Sequence, residues 1–274
     1  MHDLMNNNDN LFTITRPAEI LSPIVLSIPH SGTDIPTELL SEFKSDMLPA
    51  DDTDWFVEDI YAFARELGML TIKANYSRLL IDLNRNPDGV PLYSDGRVIT
   101  SVCPSTDFNG NRIYTDERKV VSKEEITRRK EMYFEPYYAA VQSLLDEVQQ
   151  KFGVALLWDC HSIRRFVPGV RTEKFPDLIL GTADSASVPV HLELLVSRKL
   201  ASGNYQLSLN TPFKGGNITR NFGKPAQRQY AIQLEMSKDI YMNDSETEYH
   251  PARASKLQQL LRETLLELNK ELLR

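Results

Sequence analysis

Two patterns of hydrophobic and polar positions alternate along the chain. Short, nearly continuous apolar runs stop abruptly at polar residues, and longer stretches with a helical period lie between them. The apolar runs are "SPIVLSIPH" (22–30), "LTIKANYS" (70–77), "RLLIDLNR" (78–85), "VALLWDCHS" (154–162), "DLILGT" (177–182), "YQLSLN" (205–210) and "QYAIQLEMS" (229–237), and each reads as a strand. Helices are predicted over 51–69, with acids at its start and Gly68 as terminator, and over 188–202 and 251–274. The longest amphipathic segment is predicted to open at a capping box, Ser122 with Glu125, and to run to about Lys151. Residues 86–121 are rich in Pro, Gly, Asn and Asp and read as a long surface excursion; the first ten residues read as frayed.

Apolar strands alternating with helices predict an α/β fold, a three-layer α/β/α sandwich whose central mixed sheet is covered on both faces. No repeat, linker or low-complexity tract divides residues 1–274, which read as one domain. The composition, 41% hydrophobic and 25% charged, is that of an ordinary globular protein. A net charge of −7 argues against nucleic acid or an anionic membrane surface as partner, so any anionic substrate needs a local cluster of arginines. Two cysteines, Cys103 and Cys160, make neither a disulfide framework nor a zinc knuckle, and fit a reducing compartment. No run reaches the length of a membrane span, and "MHDLMNNNDNLFTITRP" has no signal-peptide core, so a cytoplasmic location is expected. No residue pattern fixes the oligomeric state.

In open α/β sheets functional groups gather beyond the carboxyl ends of the strands. Four apolar runs end there in residues capable of chemistry: His30; Asp82, Asn84 and Arg85; Asp159 and His161; and Glu235. This is the inventory of a metal hydrolase, which needs about three N/O ligands and a carboxylate to take the proton of water. His30 and His161 could supply the nitrogens and Glu235 the base, although a strand-end histidine is also commonly structural. His2, His191 and His250 read as surface or helix-face residues, and period-two alternation turns Cys160 away from its neighbours Asp159 and His161. Arg78, Asn84 and Arg85 flank one apolar run, and a guanidinium fork with an adjacent amide suits a carboxylate. The competing reading pairs both arginines with Asp82 or Asp88 at the surface.

"DLNR" with an upstream arginine resembles the substrate-carboxylate motif of the zinc carboxypeptidase and aspartoacylase superfamily. More narrowly, "SIPHSGTDIP", "DTDWFVEDIY", "SRLLIDLNRNPDG", "WDCHSI", "PDLILGT" and "PFKGGNITRNFGKP…QYAIQLEMS" resemble, in order, the N-formylglutamate amidohydrolase family, from about residue 24 to 250. The resemblance implies a phosphorylase/hydrolase-like fold with one zinc ion per chain, acting on a small N-acyl acidic amino acid. In it His30 and His161 match the histidine ligands and Glu235 the general base. Arg78, Asn84 and Arg85 match the group that holds the α-carboxylate and polarises the scissile carbonyl.

The carboxypeptidase pattern has a glutamate three residues after its first histidine, where this chain has Thr33. The third ligand is therefore sought elsewhere: Asp54 is chosen ahead of Asp34, against the alternative that Asp54 caps the following helix. "FKGGNITRNFG" (213–223) reads as a substrate-covering loop or as an exposed turn before a strand; the resemblance implies that it closes over the ligand with Asn217 or Arg220 reaching the side-chain carboxylate, a role for which Arg164 and Arg165 compete. The implied activity is hydrolysis of the formamide bond of N-formyl-L-glutamate. The rival readings are a hydrolase of another N-acyl amino acid or of a C-terminal peptide bond, and a non-catalytic binder of acidic amino acids.

Overall fold

A computed structural model describes residues 11–90 and 100–274; the expected frayed start and part of the 86–121 excursion lie outside the described residues. The strands are β1 (Phe12–Thr15), β2 (Ile24–Ile28), β3 (Leu70–Ala74), β4 (Ala155–Ile163), β5 (Leu178–Gly181), β6 (Leu207–Leu209) and β7 (Gln229–Ser237). They form one sheet in the order β1-β3-β2-β4-β7-β5-β6. Strands β3, β2, β4 and β7 run parallel to one another, while β1 lies antiparallel to β3 and β5 antiparallel to β7, so the sheet is mixed.

The helices are α1 (Val57–Ile60), α2 (Lys123–Arg129), α3 (Glu135–Phe152), α4 (Val190–Ala201), α5 (Asn217–Phe222) and α6 (Pro251–Leu272). Two apolar cores follow from the period-two alternation of the strands. Leu156, Trp158 and Cys160 of β4 and Ile232, Leu234 and Met236 of β7 pack with α1, α4 and α6. Ala155, Leu157 and Ala231 face the other way, toward α3 and α5. Cys160 thus lies in the core on the opposite side of β4 from His161. Each fully buried Leu or Ile contributes roughly 1.5–3 kcal/mol, so the alternation fixes the register of these strands.

The predicted 122–151 helix is α2 joined to α3 through one wider turn, Lys130–Phe134. Ser122 caps it by accepting from the Glu125 N–H at 3.2 Å, and Gly153, with φ +74°, ends it. The predicted 51–69 helix shortens to α1 and a 3₁₀ turn at Ala62–Arg65, because Phe56 at the start of α1 sits at φ +60°.

"RLLIDLNR" is not a strand. Its apolar residues Leu79, Leu80, Ile81 and Leu83 are buried, but its backbone is bonded to side chains and a loop. Arg129 donates to Leu80 O (2.9 Å), Tyr138 to Leu83 O (2.8 Å), and Asp82 N to Val102 O (2.7 Å). A buried loop is affordable when its carbonyls are satisfied in this way. In the stretch 213–223 only the second half differs: α5 takes it up from Asn217, with Ile218 and Phe222 in the core, while Phe213 and Gly216 of the loop before it lie at a cavity.

Candidate metal centre and substrate cavity

The three central parallel strands change from apolar to polar at the same height. On the α3 side of β4 the row runs Leu157, Asp159, His161; on β7 it runs Ala231, Gln233, Glu235. Asp159 is in register with Gln233 and His161 with Glu235. His30 follows the end of β2 next door, so the sheet itself gathers two imidazoles and a carboxylate at its carboxyl edge.

Asp54 completes the group. Its N–H donates to His30 O at 3.0 Å, and Ser31 Oγ donates to Asp54 O at 2.8 Å, which ties the two loops together. His30, Asp54 and His161 are buried, their ligand atoms lie within 4.8 Å of one another, and together they could hold a metal ion. Asp54 does not cap α1, and Asp34 is exposed, its segment bridged to Tyr76 instead.

Both imidazoles turn Nδ1 toward Asp54: His161 Nδ1 lies 3.2 Å and His30 Nδ1 3.8 Å from Asp54 Oδ2. Their other nitrogens meet carboxylates. His30 Nε2 is hydrogen-bonded to Asp82 Oδ1 at 2.9 Å. His161 Nε2 lies 3.0 Å from Asp159 Oδ2, close enough for an ion pair but not aligned as a hydrogen bond. Carboxylates behind the far ring nitrogen commonly orient metal-binding histidines. Among the described residues, His30 Nδ1 and Asp54 Oδ1 are buried without a hydrogen-bond partner, so bonding capacity is left over within the group.

The electrostatics agree with that count. Burial and the Arg78 charge push His30 down to about 4, so it is neutral and has a lone pair to give. At His161 burial opposes positive charge, but Asp159, Asp54 and Glu235 outweigh it and raise the ring well above its usual range, so the surroundings of this imidazole favour a cation. Burial raises Glu235 to about 7, against the attraction of His161.

A cavity of about 280 Å³ opens over this cluster, lined by His30, His161 and Glu235 together with Arg78, Asn84 and Arg85. Arg78 is fixed by Asp82 Oδ2 (2.9 Å) and Asp52 O (3.1 Å), and Phe108 lies 4.6 Å from its guanidinium. Arg85 donates to Thr100 at 3.1 Å. The surface-pairing alternative is thus half realised: Asp82 does pair with Arg78, but inside the protein, and Asp82 is held well below the usual carboxylate range by Arg85 and Arg78 despite its burial.

Four residues weighed for the substrate's side-chain carboxylate are not in the lining of this cavity. Asn217 is turned to Tyr138, donating to its hydroxyl at 2.8 Å. Arg220 is exposed and donates to Gly215 O at 3.1 Å. Arg164 is engaged by Asp51 and by Glu246 (3.4 Å) beside a separate acidic recess, and Arg165 is bound by Asp239 and Asp177. Acids 12 to 113 residues away engage Arg164 and Arg165, which composition alone does not reveal. Conversely, Gln233 and Phe108 touch the site and carried no charge or motif to single them out; alternation from Glu235 does put Gln233 on the site face.

A family model for N-formylglutamate amidohydrolase matches residues 22–242. The chain belongs to the N-formylglutamate amidohydrolase family. It is 39% identical over 225 residues to the N-formylglutamate deformylase of Pseudomonas putida, covering 82% of this chain and 83% of that one. Its identity to the Pseudomonas aeruginosa enzyme of the same name is also 39%, over 223 residues, 81% of this chain and 83% of that one. The crystal structure of N-formylglutamate amidohydrolase from Ralstonia eutropha JMP134 superposes with a TM-score of 0.75 at 25% identity, covering 96% of this chain and 98% of that one. The mixed α/β sheet described above is therefore the family's architecture. Among the described residues no helix is long and apolar enough to cross a membrane.

Proposed function

We propose that this member of the family hydrolyses the formamide bond of N-formyl-L-glutamate to L-glutamate and formate, using one zinc ion held by His30, Asp54 and His161. The observation that carries the reading is a pair of buried ligand-type atoms, His30 Nδ1 and Asp54 Oδ1, with no hydrogen-bond partner among the described residues, beside a glutamate in a cavity walled by arginines. Two nitrogens and one carboxylate oxygen are the donor set of a catalytic zinc site with a position left open. Zinc there would supply a Lewis acid for the formyl carbonyl and a water whose pKa is lowered to about 7.

The residues divide the remaining work. Glu235 takes the proton of the attacking water as its oxygen bonds to the formyl carbon, and returns it to the departing nitrogen as the C–N bond breaks. A carboxylate raised to about 7 is matched to both steps near neutral pH. Arg78, immobilised by Asp82 and the Asp52 carbonyl, faces the negative charge that develops on the carbonyl oxygen. Arg85 meets a substrate carboxylate at the cavity wall. Asn84 acts from behind, since Ile218 N, Gln233 and His161 already engage its amide.

The test is an assay of the purified protein on N-formylglutamate beside N-acetylglutamate, N-succinylglutamate and a short peptide, with elemental analysis for zinc. Preferred turnover of N-formylglutamate with stoichiometric zinc is expected. Preference for another substrate would move the specificity, and binding of glutamate without zinc or turnover would make the chain a binder.

A further inference from the structure

Gln233 touches three parts of the cavity floor at once. It lies on β7 two residues before Glu235, on the same face, and is 3% exposed. Its Oε1 accepts from Gly216 N at 2.8 Å and from Asn84 Nδ2 at 3.2 Å, while its Nε2 donates to Glu235 Oε2 at 3.4 Å.

A side-chain amide can stand either way round, and only its neighbours decide which end faces which group. The backbone N–H of Gly216 can only donate, so the oxygen of Gln233 must face it and the NH₂ must face Glu235. The same logic fixes Asn84: Ile218 N donates to its Oδ1 at 2.9 Å, which turns its NH₂ toward Gln233 and His161. Two N–H groups of one chain segment therefore set both amides. That segment can approach so closely because it is glycine: a Cβ on Gly216 would lie 2.3 Å from Asn84 Oδ1.

We propose that Gln233 is a positioning residue for the reaction, which uses its backbone-oriented amide to hold one oxygen of Glu235 and, through Asn84, to tie the base to the His161 side of the site. The proposal rests on the reading of Glu235 as proton carrier in deformylation. A glutamate at position 233 has the same size and still accepts from Gly216, but it has no donor for Glu235 and sets a second carboxylate against it. Methionine keeps the length and removes donor and acceptor together.

Wild-type turnover of N-formylglutamate is measured first; its absence would defeat the reaction and leave Gln233 without one to serve. With wild type active, Gln233→Glu and Gln233→Met are compared for kcat, KM, zinc content and thermal melting. A misplaced catalytic group costs about 10²-fold, so kcat is expected to fall by about that factor. KM should stay within about threefold, because an interaction made in the transition state is lost rather than uniform binding. The milder Gln233→Asn, which keeps an amide one methylene short, should recover part of the loss. Unchanged kcat, or a loss carried by KM alone, would overturn the proposal. Failure of all three variants to fold would overturn it too, by making Gln233 a purely structural residue.

Discussion

Two buried carboxylate clusters sit at carboxyl ends of strands in the same sheet, and they differ in what is left over. At the end of β5, Glu193 is buried and fully used: the Thr182 hydroxyl donates to it, and Ser185 Oγ donates to both of its oxygens at 2.9 and 3.1 Å. Its loop holds Ala183, Asp184 and Ser185 in the left-handed region, a conformation such bonds must sustain. At the ends of β2, β4 and β7, Asp54 and His30 are equally buried but keep an oxygen and a nitrogen with no hydrogen-bond partner among the described residues. Burial and polarity are common to both clusters. Unused bonding capacity beside a cavity separates a site from a brace.

The sharpest way to break this comparison is to remove a ligand. His30→Ala or His161→Ala is expected to lose stoichiometric zinc and reduce N-formylglutamate turnover to background, read by elemental analysis and assay. Asp54→Asn should weaken zinc strongly while Asp34→Asn leaves it unchanged; the reverse result would move the third ligand to Asp34. Next comes Glu235→Gln, expected to lower kcat by roughly 10²–10⁴-fold with zinc retained. Loss of zinc in that variant would make Glu235 a ligand instead of a base. Asp82→Asn removes the carboxylate behind His30 and one partner of Arg78, and should cost about 10–100-fold in zinc affinity by chelator competition.

The other cluster should respond in the opposite sense. Glu193→Ala strands the Thr182 and Ser185 hydroxyls and is expected to cost about 1–3 kcal/mol of stability in urea unfolding. Zinc content should not change. A loss of zinc in this variant would show that the two clusters are not separable.

The alternation that defined the strands made much of the fold and half of the site legible. β7 matches "QYAIQLEMS" residue for residue, and its period of two is what places Glu235 beside His161. What could not be read depended on partners far along the chain. "RLLIDLNR" has the apolarity of a strand, but Arg129 and Tyr138, about fifty residues on, take the backbone bonds a neighbouring strand would take. Arg164 and Arg165 carry the charge a dicarboxylate needs, but Glu246, Asp51, Asp239 and Asp177 reach them first. The resemblance points to Arg78 and Arg85, which line the cavity, and to Arg220, which does not.

The smallest effect expected separates pairing from burial in the use of a carboxylate. Glu125, unlike Glu193, is partly exposed, and it accepts from Arg128 at 2.7 and 2.8 Å and from Arg129 at 2.8 Å. The Arg128 hydrogen bonds, with that of Arg129, hold its carboxyl at about 2 rather than the usual 4.5, against the opposing effect of burial. Because the folded value is the lower one, the pair stabilises the protein fully above about pH 4.5 and is lost as pH falls from there toward 2. Solvent screening makes the contribution modest. In acid unfolding, Glu125→Gln should therefore show a shallower loss of stability across that window than wild type, with zinc content and turnover at neutral pH unchanged. Equal slopes would mean that these arginines hold the α2 turn by packing rather than by charge, and Glu125 would leave the comparison.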